Sequence, residues 1–257
     1  METAERAAAF IIRMAWQAVS ARGVFALALS GGASPRPLYR NLALGIARDM
    51  FERFTGEALP DGYSLPDMRT ILMPWQNTRL YWSDERCVPP LDTRSNYRMA
   101  METLLESTGP AEDCIFRMPA EHFPPLEAAG LYETELRRYF NEENRNLLEG
   151  FPVFDLILLG MGDDGHTASL FPGNSGDIAE TSRWVMAVMP PSYATPGTER
   201  LTFTLPVINH ARNVLFFIAG SSRATIVEKI LSGKEQKLPA SLVRPRNGNL
   251  YWFCAQP

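Results

Sequence analysis

The run Asp155-Leu-Ile-Leu-Leu-Gly-Met-Gly-Asp-Asp-Gly-His-Thr-Ala-Ser-Leu-Phe-Pro172 constrains the fold of this 257-residue chain more than any other stretch. Leu156 to Leu159 are uninterrupted apolar residues that lead straight into a glycine-rich turn. An apolar run without polar alternation predicts a strand buried on both faces, as in a parallel sheet. In open α/β sheets, ligands bind outside the carboxyl ends of the strands. Asp163, Asp164 and His166 therefore stand where a ligand would sit, and a histidine two residues after an aspartate is a candidate general base. Gly160, Gly162 and Gly165 also match G-x-G-x-x-G behind a strand. That fingerprint needs a long helix after its third glycine, and Phe171-Pro172-Gly173 stops any helix almost at once. Dinucleotide binding is the weaker reading. The glycines predict tight turning and close backbone approach to a substrate.

The rest of the chain alternates in the same style. Ala4 to Ala21 predicts an amphipathic helix with Phe10, Ile11, Met14, Ala18 and Val19 on one side, ended by Gly23. Val24 to Leu29 predicts a strand, followed by Ser30-Gly-Gly-Ala-Ser-Pro35 and a helix through about Arg48. Residues 49–70 are polar, carry proline and glycine and show little periodicity, which predicts an irregular surface insertion. Arg79 to Ser83 predicts a strand running into the charged triplet Asp84-Glu85-Arg86. Helices are expected over Ser95 to Leu105 and Leu126 to Leu148. Further strands are expected at Trp184 to Val188, Leu201 to Leu205, Val214 to Ile218 and Tyr251 to Cys254, with helices at Val207 to Ala211 and Arg223 to Leu231. Strands alternating with helices imply one α/β domain over residues 1–257, a mostly parallel sheet with helices on both faces.

Composition excludes several classes of function. A net charge of −4 argues against nucleic acid, whose phosphates call for a basic surface. No apolar segment is long enough to span a bilayer, and the acidic start Met1-Glu-Thr-Ala-Glu-Arg6 lacks the layout of a secretion signal. Cys87, Cys114 and Cys254 are an odd set at wide spacing, which predicts reduced thiols in a cytoplasmic protein. No metal-ligand spacing is present, and Gly173-Asn-Ser175-Gly176 misses G-x-S-x-G by one position, so neither a metal nor a serine nucleophile is expected.

The remaining chemistry gathers at strand ends. Ser34 is a suitable N-cap with Pro35 behind it, and Gly31 and Gly32 leave backbone N–H groups open beside a helix N-terminus, a ready anion site. Arg86, Arg200 and Arg223 each lie near a strand end. Singly each would be a surface charge; together, in an acidic protein, they point to a phosphorylated small molecule held by guanidinium forks. His122 lies beside Phe123-Pro124-Pro125 and His210 beside Asn209, and both are expected to be structural or solvent-exposed. His166 has Asp164 to fix its tautomer.

Taken together, Leu29-Ser-Gly-Gly-Ala-Ser-Pro35, Trp82-Ser-Asp-Glu-Arg-Cys-Val-Pro89 with Ser95-Asn-Tyr97, the Gly160 to Pro172 run, Arg200-Leu-Thr-Phe-Thr204 and Gly220-Ser-Ser-Arg-Ala224 resemble the glucosamine-6-phosphate isomerase/6-phosphogluconolactonase family, and within it the lactone-hydrolysing branch. The resemblance runs from about Val24 to Trp252. It implies hydrolysis of 6-phospho-D-glucono-1,5-lactone to 6-phosphogluconate in the oxidative pentose phosphate pathway, without metal or organic cofactor. His166 matches the family's base, Asp164 and Asp84 its acidic site positions, and Gly31, Gly32, Ser34, Arg86, Arg200 and Arg223 positions around phosphate and sugar. Two departures stand out. Arg223 replaces the more common lysine, and Trp252 is followed by Phe253-Cys254-Ala255 where the family often has Trp-x-x-Asp. The isomerase/deaminase branch carries Asp-Glu-Tyr in place of Asp84-Glu85-Arg86 and a glutamate shortly after the histidine, where this chain has Thr-Ala-Ser-Leu-Phe. A non-catalytic sugar-phosphate sensor would keep the arginines without needing His166. A monomer or weak homodimer is expected.

Overall fold

Apolar runs that predict strands do form them, and the way they line up decides where a ligand can sit. The structure, a computed structural model, describes residues 2–58, 69–143 and 146–255. The central sheet is built from β1 (Phe25–Leu29), β2 (Thr78–Trp82), then, after the short strand β3 (Asp84–Arg86) of a second sheet, β4 (Ile115–Phe116) and β5 (Leu156–Leu159). Next come β6 (Val185–Val188) and β7 (Arg200–Phe203), which join β3, and the sheet ends with β8 (Asn213–Ala219) and β9 (Asn249–Ala255). Its order is β9-β8-β5-β1-β2-β4, with every pairing parallel. Numbered by their sequence within this sheet, the strands run 3-2-1-4-5-6 from one edge. That order reverses direction between β1 and β5, the point at which a crevice opens beyond the strand ends. All of β1 and β5 is buried, so their carboxyl ends are delivered to that crevice by a rigid floor.

Helices cover the sheet. α1 (Glu2–Arg22) buries an alanine-rich face, including Ala7, Ala8, Ile11, Ile12 and Ala15, against β1, β9 and its neighbour α2 (Arg36–Leu44). α3 (Arg48–Thr55) also packs on α1. α4 (Asn96–Ala100) continues through a wider π turn, Met101–Leu105, and α5 (Pro125–Arg137) lies against β6 and β7. α6 (Ala224–Leu231) follows β8. Among the described residues no helix is long and apolar enough to cross a membrane.

Several expectations need correction. The helix after Ser30–Pro35 ends at Leu44, because Ile46–Ala47 turns away to pair with Thr70–Ile71. Residues 49–55 of the supposed irregular stretch belong to α3, and its Phe51 is fully buried in the core, so this part is no surface appendage. Residues 59–68 of the expected insertion lie outside the described residues. The long helix expected to Leu148 gives way after Arg137 to a π turn, and Leu147–Leu148 pairs with Phe151–Pro152. Ser34 does not cap α2: Pro35 is already in a helical conformation and no side chain caps the helix.

The largest departure is the second sheet, β6-β7-β3, which is antiparallel. Ser83 is where the chain changes sheets. Its N–H still donates to Leu29 O at the end of β1 (2.9 Å), while its own carbonyl accepts from Phe203 N on β7 (2.8 Å). Asp84-Glu85-Arg86, read from sequence as a charged strand end, is thereby a strand in its own right.

Candidate active site

The turns that follow β1 and β5, together with the small sheet, enclose a cleft of about 230 Å³ at the crevice between those two strands. It is lined by Gly31, Gly32, Ser34, Asp84, Arg86, Gly162, His166, Arg200 and Arg223 among others. A second lobe of about 310 Å³ adjoins it, sharing Arg86, His166 and Arg200 and adding Asp163, Asp164, Phe171 and Tyr193. His166 thus lines both lobes. Every site residue expected from the sequence borders one lobe or the other.

His166 is held on three sides. Its Nδ1 lies 2.6 Å from Asp164 Oδ1, and its main-chain N–H donates to the same oxygen (3.1 Å). The ring rests on Phe171, with centroids 4.7 Å apart. On its third side is Gly162, where a Cβ would fall 2.2 Å from His166 Cε1 and Nδ1 and 2.7 Å from Asp164 Oδ1. Only glycine allows that approach. No helix follows the third glycine; Thr167 and Leu170 close a tight bridged turn instead. Partial burial pushes the Asp164 carboxyl up, but hydrogen bonds from the His166 ring and main chain, the imidazole's charge and Tyr193 outweigh this and hold it at about 2. A carboxylate ionised at neutral pH only accepts, so Nδ1 carries the proton of this hydrogen bond, and it is the Nε2 lone pair that the neutral imidazole offers as a base. Nε2 makes no hydrogen bond to the protein among the described residues.

Asp84 is buried and fully engaged. Ser169 Oγ donates to Oδ2 (2.7 Å), and Asn96 Nδ2 donates to Oδ1 (3.2 Å) and to the Asp84 carbonyl (2.9 Å). Ala168 makes this possible by taking φ 47, a left-handed conformation uncommon for a residue with a Cβ, which turns Ser169 toward Asp84. Asn96 in turn packs so tightly on Gly31 that a Cβ there would lie 1.9 Å from its Oδ1. Glu85 sets α4 in place: its carboxylate accepts from Asn96 N (2.7 Å), Tyr97 N (2.8 Å), Arg86 N (2.7 Å) and Ser95 Oγ (3.0 Å). Burial pushes this carboxyl above the ordinary range against those four donors.

The arginines are built into the walls rather than waving from the surface. Arg200 is buried, donates from Nη2 to Pro196 O (3.1 Å) and sits with its guanidinium 5.3 Å from the Phe171 ring centre. Burial pushes its guanidinium below the ordinary range, with Asp84 opposing the shift. Arg86 Nη1 is fixed on Arg94 O (2.6 Å) and Arg223 Nη1 on Ala219 O (2.8 Å). Each of the three has a buried Nε without a hydrogen-bond partner. For Arg223 this holds although Asp163 Oδ1 is 3.1 Å away, because that N–H is not aimed at the carboxylate. Buried donors without acceptors are uncommon in folded proteins, and three around one cleft fit an anionic ligand. Asp163 faces Arg223 rather than the imidazole and accepts from Ser222 Oγ (3.0 Å). The other histidines are as expected: His122 is exposed, and His210 is buried, stacked on Phe151 with Nδ1 2.6 Å from Pro206 O. Among the described residues no group of three or more His, Cys, Asp and Glu is arranged to hold a metal ion.

Sequence reading missed Ser169, Asn96, Thr202 and Tyr193. Thr202 Oγ1 accepts from Ser169 N (3.1 Å), and Tyr193 donates to Asp164 Oδ2 (2.9 Å). Ser169 and Asn96 lie inside motifs already singled out, yet nothing local announces their partners.

The model of the family described as "Glucosamine-6-phosphate isomerases/6-phosphogluconolactonase" matches residues 1–252. A 6-phosphogluconolactonase of Synechocystis is 35% identical over 254 residues, covering 98% of this chain and 90% of the relative. The 6-phosphogluconolactonase of Homo sapiens is 35% identical over 234 residues, covering 91% and 79%. The solved 6-phosphogluconolactonase of Trypanosoma brucei superposes with a TM-score of 0.74 at 25% identity, covering 99% of this chain and 93% of that one. With the family model matching residues 1–252 and relatives 35% identical over nearly its whole length, the chain belongs to the glucosamine-6-phosphate isomerase/6-phosphogluconolactonase family.

Proposed function

We propose that this chain hydrolyses 6-phospho-D-glucono-1,5-lactone to 6-phosphogluconate by general-base activation of water, and that it does so in the cytoplasm, where its three free thiols stay reduced. The observation that carries the reading is a single cleft holding both an oriented histidine and three arginines whose buried Nε groups make no hydrogen bond. A lactone is an activated ester, so its hydrolysis needs one positioned water, one base and stabilisation of the developing oxyanion. His166 Nε2 takes a proton from water as its oxygen attacks C1. Asp164 stabilises the imidazolium that forms. Negative charge collects on the former carbonyl oxygen, and main-chain N–H groups of the Gly31–Ser34 turn, which have no protein acceptor among the described residues, suit it. Collapse breaks the bond from C1 to the ring oxygen, and His166 returns the proton to that oxygen. The guanidiniums of Arg86, Arg200 and Arg223 bind the remote phosphate and hold C1 at the histidine.

The decisive assay uses freshly generated 6-phosphogluconolactone, with 6-phosphogluconate formation followed by a coupled enzyme and corrected for spontaneous hydrolysis. Turnover well above the uncatalysed rate is expected, with no ammonia release from glucosamine 6-phosphate. Ammonia release at a comparable rate would move the chain to the isomerase/deaminase branch, and binding of the lactone without turnover would make it a sensor.

A further inference from the structure

Tyr193 lies on the segment between β6 and β7, in a turn closed by Ala194 N donating to Pro191 O (2.9 Å). It is 62% exposed, so burial gives no reason for an aromatic ring at this place. Its hydroxyl nevertheless points inward and donates to Asp164 Oδ2 at 2.9 Å. The other oxygen of that carboxylate serves His166 alone, ring and main chain. We propose that Tyr193 is a positioning residue of the hydrolysis, closing a chain Tyr193–Asp164–His166 that fixes the plane of the carboxylate and tempers its hold on the imidazole proton.

The proposal rests on His166 being the base. Two effects follow from the geometry. With each oxygen engaged by a different element, the carboxylate cannot turn about its Cβ–Cγ bond without breaking a hydrogen bond, so the imidazole keeps its aim. A donor on Oδ2 also draws negative charge away from Oδ1. The carboxylate then stabilises the imidazolium enough to help deprotonate water, but not so much that the ring fails to return the proton to the departing oxygen. The other titratable or charged groups facing the histidine are Asp163 from its own turn, Asp84, Arg86 and Arg200 from the small sheet, and Arg223 ahead of α6. None of these lies within hydrogen-bond reach of Asp164 Oδ2 in the way Tyr193 does.

Tyr193→Phe keeps the ring that walls the outer lobe and removes only the hydroxyl. The expected result is a kcat lowered about two- to tenfold, the worth of one such hydrogen bond, with KM for the phosphorylated lactone unchanged. The acid limb of the kcat/KM profile moves to higher pH, because the less solvated carboxylate holds the protonated base more firmly. The His166 Nδ1–H proton resonance, assigned by its loss in His166→Gln, moves downfield for the same reason. An unmoved acid limb together with an unmoved resonance would overturn the proposal. So would a raised KM with both unmoved, which would make Tyr193 a wall of the cleft and nothing more. Should the unmutated protein fail to hydrolyse the lactone, the functional reading falls on its own, while the resonance still decides the hydrogen-bond chain.

Discussion

Asp164 can act on His166 only as an acceptor, since a carboxyl held at about 2 has no proton to give at neutral pH. All the proton traffic therefore passes through Nε2. His166→Gln should lower kcat by about 10²–10⁴, the usual span for loss of a general base, and leave KM nearly unchanged. Steady-state kinetics on the lactone check this; a kcat within twofold of the parent would take His166 out of the reaction. Much at this scale was legible in the sequence. Asp164 and His166 are two residues apart in one turn, so their partnership is local. Ser169 and Asp84 are separated by 85 residues and Tyr193 and Asp164 by 29. Such pairs exist only once the sheet has brought distant loops together, and they leave no periodicity or spacing to read.

Among the elements, the glycine turn after β5 makes the sharpest demand. A methyl at Gly162 would collide with the His166 ring, whereas one at Gly160 would meet nothing within 4 Å. Gly162→Ala should therefore abolish most activity while moving the melting temperature little, and Gly160→Ala should keep most activity. Parallel turnover and thermal-melt measurements test the pair, and equal losses would show that the turn is generally intolerant instead. α3 calls for a different measurement. Phe51 is its one fully buried side chain, and Phe51→Ala should cost about 3–5 kcal/mol in urea unfolding. A cost near zero would return this stretch to the surface. Both α3 and β3 escaped sequence reading for physical reasons. α3 spans two turns with a single fully buried side chain, too little for a period to register. β3 is written in charged residues because Asp84 and Arg86 serve the cleft while Glu85 anchors α4, and strand propensity is a statement about packing on a pleated face.

For the whole molecule, the strand order was implied only in class. Alternating strands and helices predict a parallel sheet, but they do not say where its direction reverses, and that reversal is what places Ser30–Ser34 opposite Gly160–His166. Electrostatics at this scale sets acid stability. Asp164, and Glu180 through the main-chain and hydroxyl donors of Ser182 and the main chain of Arg183, are both held at about 2. A carboxyl lowered on folding stabilises above its unfolded value and loses that contribution as the pH falls through its folded value. Asp155 and Glu85, pushed up chiefly by burial, work in the opposite sense and regain stability on acidification. Calorimetry should show the melting temperature falling between about pH 4 and pH 2, with a shallower fall in Asp164→Asn; identical slopes would remove Asp164 from this balance. One register pair has a wider consequence. Arg86 and Arg200 are direct partners across β3 and β7, on the same face of an antiparallel ladder. Like charges so placed repel and weaken the pairing. An anion seated between them converts that repulsion into attraction, which makes the ligand a strut of the small sheet. Millimolar phosphate or 6-phosphogluconate should raise the melting temperature, and Arg86→Gln should shrink that increment; a protein whose melting ignores both anions would have no such strut. In this fold the tension that marks where the substrate goes is also what its arrival relaxes, so occupancy and rigidity rise and fall together.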